Sequence, residues 1–158
     1  MTMKPAPIPP GYDGVTPYLY IRGAAKALDF YKRAFGAREL MRMDGPDGKI
    51  GHAEIAIGKA IVMLADESPA MDALSPETIG GTASSFLVYV PDVDAVFQQA
   101  LKAGAKELSP VENKFYGDRM GMLTDPFGHQ WAIGTHIEDV SPEEMGRRAA
   151  AQAKSGGA

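Results

Sequence analysis

The sequence predicts an α+β fold of two tandem βαβββ units whose strands form strongly curved mixed sheets, and three observations carry that expectation. A strand-like run followed by an amphipathic helical run occurs twice, from Val15 and again from Ser84. Each helical run stops at a glycine followed by nearly the same text, Gly36-Ala37-Arg38-Glu39-Leu40 and Gly104-Ala105-Lys106-Glu107-Leu108, an internal echo at a fixed spacing. Each half then carries hairpin signals, in a chain whose 18 glycines and 12 prolines among 158 residues exceed ordinary usage.

The elements follow in order. Residues 1–14 are Pro-rich and read as a flexible N-terminal segment. Val15 to Ile21 is rich in β-branched and aromatic residues, as a strand requires. From Ala24 to Phe35, the residues Ala24, Ala27, Leu28, Tyr31 and Phe35 recur at helical spacing, and Gly36 suits the left-handed residue that ends many helices. Asp44-Gly45 and Asp47-Gly48 precede a strand from Ile50 to Ile57, and Gly58-Lys59 turns it into Ala60 to Ala65. A polar join, Asp66 to Gly81, has a short turn at Met71 to Leu74 and separates the units, 15–66 and 82–136. The second unit repeats the plan. Strand 84–90 leads to a helix from about Asp92 to Ala103 with Val93, Val96, Phe97, Ala100 and Leu101 on one face. Asp118 to Thr124, the turn Asp125-Pro126-Phe127-Gly128 and His129 to Thr135 close it. Residues 15–136 thus form one domain, and 137–158 a C-terminal helix opened by Ser141-Pro142-Glu143-Glu144 with a frayed tail through Gly156-Gly157.

Composition narrows the function. With no cysteine there is no thiolate metal site and no cysteine nucleophile, and with only His52, His129 and His136 any metal would need oxygen donors as well. A net charge of −4 without a basic run argues against nucleic acid or an anionic membrane as partner. The N-terminus lacks the apolar core of a signal peptide, and no stretch reaches the ~20 apolar residues of a membrane span. The expectation is a cytoplasmic protein.

Strand alternation sorts the side chains. Leu19 and Ile21 pack under the first helix, leaving Thr16, Tyr18 and Tyr20 opposite; Phe86, Val88 and Val90 pack under the second, leaving Ser85, Leu87 and Tyr89 opposite; Trp131 and Ile133 pack, leaving Gln130, Ala132 and Gly134. The helix-free face is semi-polar and aromatic, which suits the lining of a small-molecule site. It suits an ordinary core or a dimer interface equally.

Four segments, Val15-Thr16-Pro17-Tyr18-Leu19, Phe30-Tyr31-x-x-Ala34-Phe35-Gly36-Ala37, His52-Ala53-Glu54-Ile55 and Thr124-Asp125-Pro126-Phe127-Gly128-His129-x-Trp131, resemble the vicinal oxygen chelate superfamily of glyoxalases, bleomycin-resistance proteins and extradiol dioxygenases, and within it the PhnB-type glyoxalase-like subgroup. The resemblance implies a homodimer whose trough-shaped sheets enclose ligand sites. It also implies metal ligands at four strand positions, which here are Thr16, Met63, Ser85 and Ala132. None is a strong divalent-metal ligand. The expectation is therefore a binder of a small organic molecule with no metal and no cofactor, its site drawn from Thr16, Tyr18, Tyr20, His52, Glu54, Met63, Ser85, Tyr89 and Arg119, and its catalytic residues unknown.

His52 and Glu54, two apart on a strand, share a face and could form an acid–base pair or a metal fragment. Asp118 or Arg119 could reach them from the equivalent strand of the other unit. The alternatives are accordingly a metal-dependent lyase, isomerase or dioxygenase rearranged around His52 and Glu54, or a metal-independent acid–base enzyme. Phe115 to Arg119 reads as a loop whose Arg119 could meet an anionic or planar ligand. His129 reads as a turn-stabilising donor, and His136 as a surface salt link beside Glu138 and Asp139.

Overall fold

The computed structural model describes residues 5–155, so the expectation for Gly156-Gly157 lies outside the described residues. The chain divides into two compact units, 1–81 and 82–158. Among the described residues no helix is long and apolar enough to cross a membrane.

In the first unit the order is β1 (Tyr18–Ile21), α1 (Ala24–Phe35), β2 (Arg38–Asp44), β3 (Ile50–Ile57), β4 (Ala60–Asp66) and the short helix α2 (Pro76–Ile79). The four strands form one mixed sheet in the order β1-β4-β3-β2, with β1 parallel to β4 and the rest antiparallel. Ala24, Ala27, Leu28, Tyr31 and Ala34 of α1 are buried, as are Leu19, Ile21, Ile55 and Leu64 of the sheet. Each large side chain so buried stabilises the fold by about 1.5–3 kcal/mol relative to exposure. Phe30 joins this core, its ring 5.4 Å from that of Tyr31, whereas Phe35 is only half-buried.

The helix begins at Gly23, in left-handed backbone and with no side chain to cap it. Asp66, at the end of β4, supplies the cap: its Oδ1 accepts from Gly23 N–H and Ala24 N–H, and its Oδ2 from Ile50 N–H. One carboxylate thus satisfies orphan donors of α1 and ties β3 to β4. The join after β4 holds more structure than the turn expected at Met71 to Leu74. Ser75 caps α2 by accepting from Thr78 N–H, and Pro76 occupies its first position. Glu67 anchors this helix by accepting from Ser75 N–H, Thr78 Oγ1 and Arg22 Nε, bonds that hold its carboxyl down at about 2.

The second unit runs β5 (Ser85–Tyr89), α3 (Val93–Ala103), β6 (Lys106–Asn113), β7 (Asp118–Thr124), β8 (Gln130–His136) and α4 (Pro142–Ser155). Its sheet has the order β5-β8-β7-β6, the same connectivity as the first. Val93, Phe97 and Ala100 of α3 are buried, as are Leu123, Trp131 and Ile133 of the sheet. Gly121 belongs to this packing, because a Cβ there would come 2.8 Å from the Phe97 ring and 2.9 Å from Val111. Two caps open α3: Asp92 accepts from Ala95 N–H, and Thr135 Oγ1, from β8, accepts from Val93 N–H. A side chain at the end of the last strand therefore serves the helix start in both units.

The Asp-Pro-Phe-Gly turn is built around Asp125, which is buried. Its Oδ1 accepts from Phe127 N–H and His129 N–H, and its Oδ2 from Trp131 Nε1–H at 3.0 Å. Beyond β8, the carbonyl of Gly117 accepts from Ile137 N–H and Glu138 N–H. Only glycine fits there, since φ is +97° and a Cβ would meet the Glu138 carbonyl. Arg148 of α4 then forks onto Glu138 with bonds of 2.7 and 2.8 Å, which fastens the helix to the chain that precedes it.

Candidate functional site

In the first unit, alternation places Tyr18 and Tyr20 on the face away from α1, where they are about two-fifths exposed. The register carries that face across the sheet: Met63 lies beside Tyr18 and Glu54, Met41 beside Glu54, and Met43 beside His52. Four polar groups meet there. Tyr12 Oη donates to Glu54 Oε2 at 2.5 Å, His52 Nε2 lies 3.2 Å from Glu54 Oε1, and Tyr18 Oη lies 2.9 Å from His52 Nδ1. The Tyr18 ring is 5.3 Å from that of Tyr20 and 5.5 Å from the imidazole.

With a neutral imidazole, one tautomer satisfies every contact. With Glu54 ionised, Tyr12 donates to one oxygen and His52 Nε2–H to the other, which leaves Nδ1 to accept from the Tyr18 hydroxyl. The Tyr12 bond, chiefly, holds the Glu54 carboxyl below its ordinary value; burial opposes this and His52 adds to it. The same bond raises the Tyr12 phenol, while burial raises that of Tyr18, so both stay protonated donors. The arrangement fixes one imidazole tautomer and sets Tyr18 at the exposed end of a Glu–His–Tyr chain. Such a chain can hold a ligand's hydroxyl or carbonyl, or move a proton at Tyr18 Oη.

The second unit has a different cluster. Tyr89 Oη donates to Asp118 Oδ2 at 2.6 Å; His136 Nδ1 lies 2.8 Å from Asp118 Oδ1, and His136 Nε2 lies 2.9 Å from Asp139. Burial alone would push the Asp118 carboxyl up, yet the bonds from Tyr89 and His136 hold it below its ordinary value. His136 is raised, first by Asp139 and then by Asp118. With a carboxylate at each nitrogen this ring is an imidazolium clamp with no nitrogen left for a ligand. The salt link expected at His136 therefore reaches Asp139 and also the β7 residue Asp118, while Glu138 is taken by Arg148.

This clamp makes stability depend on pH in a defined direction. A histidine whose pKa rises on folding adds stability that is fully present below its ordinary value of 6.5 and is lost as pH climbs through the raised value. Thermal melts of the wild-type chain should therefore fall from pH 6.5 upward. His136→Gln should flatten that slope, and an unchanged slope would contradict the clamp.

The expected site residues divide accordingly. Tyr18, Tyr20, His52, Glu54 and Met63 share the open face of the first unit, with Thr16 just ahead of β1. Ser85 and Tyr89 lie on β5 of the second unit, where the Tyr89 ring and Met120 cover Gly134. Arg119 departs from expectation. It lies in β7 rather than a loop, and its guanidinium forks onto Asp94 of α3 at 2.7 Å and onto Asn113, on the helix side of the sheet. Asp118 is committed to Tyr89 and His136. The third and fourth partners of the His52–Glu54 pair are instead Tyr18 and Tyr12. Sequence reasoning missed Tyr12, which lies in the Pro-rich lead 42 residues from Glu54. Two clefts of about 510 and 440 Å³ open near Asp66 and Glu67, whose carboxylates already serve Gly23, Ala24, Ile50, Arg22, Ser75 and Thr78.

The metal implied by the resemblance does not fit the donors at its four places. Thr16 and Ser85 offer neutral hydroxyls, Met63 a soft thioether and Ala132 no donor, whereas a divalent site of that kind needs imidazole or carboxylate. Among the described residues no three His, Asp or Glu side chains converge as a metal-binding group.

Comparisons with known proteins agree with this architecture. Residues 14–133 match the Glyoxalase/Bleomycin resistance protein/Dioxygenase superfamily. An uncharacterized protein of Mycobacterium bovis is 43% identical over 134 residues, covering 83% of this chain and 88% of the relative. Among solved structures, TioX from Micromonospora is 28% identical with a TM-score of 0.62, covering 82% of this chain and all of TioX. A PhnB protein from Bacillus cereus shares the fold at 21% identity and a TM-score of 0.61, covering 78% of this chain and 99% of that one. The duplicated βαβββ plan, the Asp-Pro-Phe-Gly turn built on a buried Asp125 and a match spanning both units lead to one conclusion: the chain belongs to the glyoxalase/bleomycin resistance protein/dioxygenase superfamily.

Proposed function

We propose that this protein binds a small organic molecule on the open face of its first unit, without the metal used by chelating members of the superfamily. The observation that carries this reading is the Tyr12–Glu54–His52–Tyr18 chain beside Met41, Met43 and Met63. Thioethers adapt to flat apolar surfaces, and tyrosine rings present both an apolar face and a hydroxyl. Sequestration of a small molecule, in the manner of a bleomycin-resistance protein, is one form this takes. The resemblance further implies a homodimer, and the expected location is the cytoplasm.

A second reading is favoured by the orientation of His52. Its Nε2 is anchored on Glu54 while Nδ1 faces the half-exposed Tyr18 hydroxyl, an arrangement suited to metal-independent proton transfer. A metal-dependent lyase, isomerase or dioxygenase is less well supported, because the groups around His52 and Glu54 are phenols.

Elemental analysis of the purified protein together with a fluorescence titration with 2-naphthol tests the proposal. The expected outcome is saturable 2-naphthol binding with a substoichiometric divalent-metal content. A stoichiometric metal that is lost in His52→Ala would overturn the metal-free reading, and absence of saturable binding in every variant would overturn the binding reading.

A further inference from the structure

The lead segment does more than precede the fold. Residues 9–12 form a turn, with Tyr12 N–H donating to the Pro9 carbonyl at 3.2 Å. Gly11, at φ +89°, lies over the open face, and a Cβ there would be 3.2 Å from Ile61 Cδ1. Ile61 pairs with Ala56 in the same register that sets Met63 beside Glu54, so it shares the open face. The turn therefore rests on the surface assigned above to the ligand, and Tyr12 places its phenol on the Glu54 carboxylate.

Little else holds the segment down. Residues 5–11 are exposed, and the half-buried Tyr12 supplies its side-chain bond to the sheet. A short exposed turn whose described ties to the sheet are one charged hydrogen bond and the approach of Gly11 to Ile61 opens at low cost, because ordering it forfeits backbone entropy that few contacts offset. Removing Tyr12 would leave the outer oxygen of Glu54 as an acceptor beside His52, Met41 and Met43. An acceptor-only carboxylate edged by thioethers and tyrosine rings calls for an occupant with an aromatic ring and a hydroxyl donor. The chain itself meets that need with a phenol.

We infer that Tyr12 is a built-in stand-in for the ligand. The site takes a hydroxylated aromatic molecule whose phenolic hydroxyl donates to Glu54, and the 9–12 turn is the cover it displaces. This inference rests on the binding reading above and adds the ligand's chemical class and the competitor it meets. Because the covered form is not competent to bind, apparent affinity is reduced by the uncovered fraction, and loosening the cover raises it.

The test compares 2-naphthol, naphthalene and 1-naphthylmethylammonium on the wild-type chain and on Tyr12→Ala, with thermal melts to confirm that both are folded. Tyr12→Ala should bind 2-naphthol about tenfold or more tighter than wild type. Naphthalene should show no such gain, and Glu54→Gln in the Tyr12→Ala chain should remove it. Equal 2-naphthol affinity in the two chains would overturn the inference while leaving the binding reading in place. So would an equal gain for naphthalene, which would mark a merely apolar surface, or for the ammonium, which would mark a simple cation site. Loss of all aromatic binding in both chains would overturn the inference and the binding reading together.

Discussion

Asp125→Ala should destabilise the protein by about 3–5 kcal/mol and lower its melting temperature by roughly 10 °C or more. The Asp125 side chain is buried and receives three donors, the Phe127 and His129 amides and the Trp131 indole. Alanine strands all three where water does not replace the acceptor, and each buried donor left unmet costs about 1–3 kcal/mol. The losses do not add fully, since the turn relaxes. Asp125→Asn separates the contributions: its carbonyl can keep the two amides, while its NH2 then faces the indole N–H as donor against donor. Thermal unfolding, with near-ultraviolet circular dichroism of the single tryptophan, reads both variants. A loss below about 1 kcal/mol for Asp125→Ala would show that the turn does not depend on this carboxylate.

His52→Ala should weaken 2-naphthol binding about tenfold or more, a loss of the order expected for one hydrogen bond to a charged partner. The imidazole joins Tyr18 to Glu54, and without it the Tyr18 hydroxyl loses its acceptor and Glu54 one of its two donors. Stability should change by less than about 1 kcal/mol, because the His52 side chain is 23% exposed and lies outside the α1 core. A large fall in melting temperature with unchanged affinity would make the pair structural. The same substitution in the Tyr12→Ala chain should still weaken binding, but not by an independent factor, since Tyr12 and His52 both donate to the Glu54 carboxylate.

Much of the fold was legible because its determinants are local. The spacing of Ala24, Leu28 and Tyr31 and the stop at Gly36 placed α1 at its observed bounds, and strand alternation set Leu19 and Ile21 under it. Where the sequence failed, the cause was either an unread local signal or a distant partner. The Ser75-Pro76-Glu77 start of α2 has the same form as the Ser141-Pro142-Glu143 start of α4, but its single turn leaves no helical period to see. The cap of α1 comes from Asp66, across more than forty residues. Arg119 reads from the sequence as part of a ligand-facing loop, yet alternation within β7 turns it toward Asp94, as it turns Asp118 toward Tyr89.

The site divides in the same way. The shared face of Tyr18, His52 and Glu54 follows from alternation on two strands and is legible in the sequence. Tyr12 is not, because a proline-rich lead has no period and its contact with Glu54 depends on the chain's return across the sheet. The sequence sets His136 beside both Glu138 and Asp139; the bond goes to Asp139, Glu138 pairs with Arg148, and the bond to Asp118 joins β8 to β7 and cannot be read from neighbours in sequence.

Nuclear magnetic resonance of methyl-labelled methionine and ring-labelled histidine during a 2-naphthol titration tests the central claim most directly. Binding on the open face of the first unit predicts shifts at Met41, Met43, Met63 and His52, with Met145 of α4 and the clamped His136 unmoved. Shifts centred on Met120, Met122 and His136, with His52 unchanged, would contradict it.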